Sequence, residues 1–104
     1  MSGEHSRFLP QARKDIYDLA LYIGKDSPAA AERFLNAVAG TCAMLAALPK
    51  TGVVRSFKHP TLAKLRMMRV EGFPHYLVFY LPDRTGIVVV RVVHGTRDLP
   101  TLFS

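Results

Sequence analysis

The apolar side chains of this chain change their spacing at Pro49, which limits the fold to helices first and a sheet afterwards. Before that point Ala12, Ile16, Leu19, Ala20 and Ile23 recur as one stripe of a helix over residues 10–25. Pro10 suits the first turn of that helix, where a missing N–H costs nothing, and Gly24 marks its end. Lys14 and Asp18 stand one turn apart on its wet side. A second stripe, Ala31, Phe34, Leu35, Val38, Cys42 and Leu45, follows Ser27 as N-cap and Pro28 at the first helical position. The short link between the stripes predicts two helices folded back on each other, and Pro49 ends the second.

Beyond a basic loop come short β-branched and aromatic runs at residues 65–70, 75–81 and 87–94. The connections between them, residues 71–74 and 82–86, are short and hold Gly or Pro, which predicts an antiparallel meander. A fourth short strand fits residues 7–9. Strict alternation in the last run puts Val88, Val90, Val92 and His94 on one face and Ile87, Val89, Arg91 and Val93 on the other. Both faces are largely apolar, so the one away from the helices needs a cover or a ligand.

A chain of 104 residues, 49% of them hydrophobic and 21% charged, is expected to form one domain over residues 1–104. At this size folding buries roughly 65% of the surface of the unfolded chain. The lone cysteine, Cys42, cannot form an intrachain disulfide, which favours a reducing compartment and hence the cytoplasm. No run nears the ~20 apolar residues of a membrane span. Residues 1–5 carry Glu4 where a leader would be basic and then apolar, so a soluble, unprocessed protein is expected, with no membrane partner.

The charge is localised. Between Pro49 and Val70 stand Lys50, Arg55, Lys58, Lys64, Arg66 and Arg69 with no acidic residue, and they account for the whole net charge of +6. Such a segment suits an acidic protein segment, a nucleic acid, or a partner that itself holds nucleic acid; a merely solubilising surface is the plain alternative.

Metal and cofactor chemistry finds no support: His5, His59, His75 and His94 are scattered, and Cys42 lies on a helical stripe as a packed thiol. No phosphate-cradling glycine loop, dinucleotide fingerprint or nucleophile elbow is present. Gly40, inside the second helix, is expected to allow close helix packing.

Four strings, SPAAAERFLNAV, LPKTG, LRMMRVEGFPHYLVFY and VVRVVHGTRDLPTLF, stand in an order that resembles the ParE/RelE superfamily of toxins from type II toxin–antitoxin pairs. The resemblance covers nearly the whole chain. It implies an α+β fold, a helical hairpin packed on an antiparallel sheet of three to four strands, and an antitoxin whose C-terminal segment wraps the toxin.

The superfamily holds two biochemical classes. RelE-like members are ribosome-dependent mRNA endonucleases that hold the scissile phosphate with basic side chains and use an acid/base group near the C-terminus, often a tyrosine. The resemblance places Arg69 and Arg97 on their two arginines, Phe103 on the tyrosine, and Lys58 and Lys64 near but not on their lysines. A phenyl ring exchanges no proton, and losing a general acid or base typically costs about 10²- to 10⁴-fold in rate. His94 could titrate but reads as a packed residue by strand parity.

ParE-like members poison DNA gyrase and need no nuclease site, and the closing string HGTRDLPTLF looks more like theirs. On that resemblance Arg66, Arg69, Arg91, Arg97 and Phe103 bind antitoxin or target, with no catalytic residue. The partners expected are an acidic ParD-like antitoxin that folds on binding, and DNA gyrase. Arg97 and Asp98 have a structural alternative, tying the last segment to the domain. Operator DNA in such systems is read by the antitoxin, so positive charge alone does not imply sequence-specific DNA recognition here.

Overall fold

The computed structural model describes residues 5–58 and 60–103. The expectation that residues 1–4 carry no leader, and the position of His59, lie outside them. The elements run β1 (His5–Phe8), α1 (Pro10–Gly24), α2 (Pro28–Ala47), β2 (Val53–Val54), a 3-10 turn (Pro60–Leu62), β3 (Arg66–Val70), β4 (Phe73–Asp83), β5 (Gly86–His94) and α3 (Leu99–Leu102).

Both long helices start where their prolines place them. Ser27 Oγ accepts the Ala30 N–H at 3.1 Å, which satisfies one of the amides that a helix start leaves unpaired. Lys14 Nζ meets Asp18 at 2.6 Å on the exposed side of α1. The hairpin lays Ala12 of α1 and Phe34, Val38, Cys42 and Leu45 of α2 against Val78, Tyr80, Ile87, Val89 and Val92 of the sheet. Each fully buried Val, Leu, Ile or Phe of this layer is worth about 1.5–3 kcal/mol relative to its exposed state. Among the described residues, no helix is long and apolar enough to cross a membrane.

The sheet differs from the expected one in two ways. It has five strands in the order β1-β5-β4-β3-β2, and β1 runs parallel to β5 while the other pairs are antiparallel. Parallel pairing needs a long connection, and residues 9–85 separate β1 from β5. The two meet at Gly86, whose φ of +151° and contact with the His5 backbone leave no room for a Cβ. The extra strand, β2, is only two residues long and carries no alternation that a pattern could reveal.

Strict alternation in β5 is also overturned. Val89 pairs with Tyr80 and Arg91 with Phe79, so Val90 is an extra residue in a β-bulge. Before the bulge Ile87 and Val89 face the helices; after it Val92 does, while Val93 joins the opposite face.

That opposite face is covered by the chain itself. Leu65, Leu77, Phe79, Val93, Leu99 and Phe103 form a second core, with Phe57 and Leu62 packed against it. Phe57, Phe79 and Phe103 make its aromatic centre, with Phe103 lying 4.6 Å from Phe57 and 4.7 Å from Phe79 between ring centroids. The basic loop after β2 and the C-terminal α3 therefore act as the cover that the two apolar faces of the last strand require.

Candidate functional site

The five residues singled out from the sequence fall into different surroundings. Arg91 is half-buried: its Nε donates to Asp15 Oδ2 at 2.7 Å and its Nη2 to Asp15 Oδ1 at 3.0 Å. β1 ends opposite Val89, and beyond that point the edge amide of Val92 is taken by the same carboxylate at 3.0 Å. Asp15 thus stands in for the missing strand, and Arg91 balances its charge.

Arg66 sits on the helix side, paired across the sheet with Tyr80. Its Nη1 donates to the carbonyls of Gly52 at 2.7 Å and Lys50 at 3.1 Å. The buried Tyr80 hydroxyl completes the clasp, donating to the Pro49 carbonyl at 2.7 Å and accepting the Gly52 N–H at 2.8 Å. Burial pushes the Tyr80 hydroxyl above the usual tyrosine range, with the Gly52 amide and the Arg66 charge pulling the other way. Gly52 is obligatory here, because a Cβ would stand 2.5 Å from the Tyr80 oxygen and 2.9 Å from the Met67 carbonyl.

Arg69 is on the other side of the sheet, opposite Leu77, and is exposed. There it lines a cleft of about 380 Å³ with Arg55, His75, His94 and Thr96, over a floor that includes Met67, Leu77 and Leu99. The two imidazoles stack at 6.0 Å with 17° between their planes, and the Tyr76 ring meets His94 edge-on at 5.0 Å. His94 is half-buried, as a packed histidine should be, but it also opens on this cleft. Arg55 reaches Met67 Sδ at 3.4 Å and lies over the Phe57 ring. Reasoning from the sequence missed Arg55 and His75, which approach Arg69 only through strand pairing; the run of cations with no carboxylate was the available signal.

Arg97 follows Thr96, is exposed, and its guanidinium has no hydrogen bond or ion pair among the described residues. Asp98, by contrast, caps α3, with its Oδ2 accepting the Thr101 hydroxyl at 2.7 Å. Phe103 is 3% exposed and belongs to the second core. Cys42 is packed, and burial pushes its thiol from 9.0 up to about 12, far from the reactive thiolate range. Gly40 corrects an expectation: nothing lies within 4 Å of a Cβ built there, so it faces an open groove between α2 and β3 and serves no close packing.

The rest of the basic segment gathers beside β2. Lys50, Lys64 and Arg66 rim a groove of about 720 Å³ whose other walls include Val54, Ala63, Leu81 and Pro82. Next to it Val53 and Val54 stand 63% and 47% exposed on an edge strand that, among the described residues, packs on no element but β3. An unpaired strand edge beside apolar and cationic walls is suited to taking up an extended acidic segment.

Comparison with curated proteins returns no match. A family model described as "ParE toxin of type II toxin-antitoxin system, parDE" matches residues 7–99, from within β1 to the first residue of α3. That span holds the hairpin, the whole sheet apart from the first two residues of β1, and the Arg55–Arg69–His94 cleft. The chain belongs to the ParE family, the toxins of type II toxin–antitoxin systems.

Proposed function

We propose that this toxin acts by inhibiting DNA gyrase, without catalysis of its own, and that a ParD-like antitoxin neutralises it. The observation that carries the reading is the burial of Phe103 between Phe57 and Phe79. At the position where RelE-like relatives are implied to carry an acid/base tyrosine, this chain has a proton-free ring used as a core anchor. Binding, rather than transfer of a proton to a leaving group, is the chemistry left to its arginines.

The antitoxin is proposed to lie along β2 and the groove beside it, its carboxylates meeting Lys50 and Lys64 and reaching Arg69, its apolar anchors covering Val53 and Val54. Arg91 is left out of this surface, since its charge is already paired with Asp15 through two hydrogen bonds. Replacing Arg69 and Lys64 with Glu is expected to weaken the complex at least tenfold at low salt, the two reversed charges each costing on the order of 1 kcal/mol. Unchanged affinity by calorimetry would remove this surface from the proposal. The target itself is tested by gyrase supercoiling and cleavage-complex assays run beside mRNA cleavage on translating ribosomes.

A further inference from the structure

We infer that the outer face of the helical hairpin is a self-association surface, on which a second copy of this chain docks through α1 about a two-fold axis. This surface is independent of the target that the toxin inhibits.

Among the described residues, the exposed large apolar side chains fall into two groups. Leu48, Val53 and Val54 stand at or beside β2, where Lys50 and Lys64 suit an acidic partner. Leu9, Tyr17, Leu21, Tyr22 and Leu35 stand on the hairpin, with Tyr17 and Tyr22 each 64% exposed and Leu21 54%. Single apolar side chains at a surface are ordinary, but a group of five is the kind of patch that marks an interface. Because α1 packs on α2, β1 and β5, most of the width of the sheet separates this group from β2. Its charges are also different. Lys14 and Asp18 cancel each other at 2.6 Å, and Arg13 lies over its own Phe8 ring at 5.6 Å. A face of this kind does not call for an acidic chain.

Its shape complements itself. Leu9, Arg13, Tyr17 and Leu21 follow at four-residue intervals from the N-cap onward, and all four are exposed, so they form one ridge along α1. Beside the ridge lies an apolar hollow of about 280 Å³ between Phe8, Ile16, Tyr17 and Leu35. A ridge and a hollow on one face are what an isologous pair needs, because each copy supplies the ridge that fills the other's hollow. Contact between four-residue ridges of two helices is also the commonest packing class, with a crossing angle of about −50°. An axis near Tyr17 runs the two helices in opposite directions and sets Lys14 of each copy near Asp18 of the other. The charges then match across the pair as they do within each copy. Both β2 ends stay free for antitoxin.

The test is analytical ultracentrifugation of the full chain without antitoxin, over about 1 to 200 µM. A monomer–dimer equilibrium is expected, with a dissociation constant of about 50 µM or tighter, as for a small and largely apolar contact. Because apolar burial holds the pair, raising the salt from about 0.1 to 0.5 M should change that constant by less than about threefold. Tyr17→Glu and Leu21→Glu, both at exposed positions, should each weaken the dimer at least about tenfold while denaturant midpoints stay near those of the parent chain. Val53→Glu, at the other end of the sheet, should leave the dimer as it was. A chain that remains monomeric at the highest concentration would overturn the inference, as would a dimer indifferent to Tyr17→Glu and Leu21→Glu. A monomeric chain whose antitoxin binding is abolished by Leu21→Glu would assign the face to the antitoxin instead, and that too would overturn it.

Discussion

Asp15 and Arg91, 76 positions apart in sequence, are joined by two hydrogen bonds of 2.7 and 3.0 Å that fasten α1 to the free edge of β5. The same carboxylate also takes the Val92 N–H and the Gln11 side-chain amide. Removing one partner leaves the other charge in a largely buried place, which typically costs about 3–5 kcal/mol. Asp15→Ala and Arg91→Ala should each lower stability by about that amount in denaturant titrations. The double variant should lose less than the sum of the two. Full additivity would mean that the pair is not coupled.

Tyr80→Phe should cost about 1–3 kcal/mol, because it leaves the Gly52 N–H and the Pro49 carbonyl without their shared partner. Gly52→Ala should cost more, since its Cβ would displace a ring fixed in the core. Hydrogen exchange should show the loss concentrated at residues 49–54. A uniform loss of protection would contradict the local clasp.

Much of this architecture could be read from the residues, and the misreadings have physical causes. The helices were legible because their stripes, prolines and the Ser27 cap all agree. The apolar excess on both faces of β5 correctly demanded a second cover, which Phe57, Leu65 and Phe103 supply. The parallel β1 was not legible, since its partner is remote in sequence. Nor was the bulge at Val90, because valines before and after it hide a change of phase. For the candidate site, charge density marked out a segment but not the sorting of its arginines by sheet face. Arg66 and Arg69 are three apart on a strand and so point to opposite sides, one to a backbone clasp and one to the cleft.

Stability should stay level towards pH 9 and fall between there and pH 12. The unfolded chain gives up the Cys42 proton near 9.0, whereas the folded chain holds it up to about 12. In that window the folded state binds more protons, so raising the pH favours unfolding, and the raised Tyr80 adds to the slope at its upper end. Cys42→Ala should show a shallower alkaline decline in Tm. In the native protein at neutral pH, the thiol should resist alkylation until denaturant is added. Rapid native labelling would refute its packed state.

Gly40→Ala should raise stability by about 0.5–1 kcal/mol, because the added methyl meets no atom and the unfolded chain loses freedom. A loss of stability would restore the close-packing role that the structure removes.

The most direct measurement of the central claim adds the purified chain, alone and then with its antitoxin, to gyrase with supercoiled DNA and, in parallel, to ribosomes halted during translation. The proposed function predicts trapped gyrase–DNA cleavage complexes, their loss when antitoxin is present, and intact message on the ribosomes. Message cut at the ribosome with gyrase activity unaffected would contradict it.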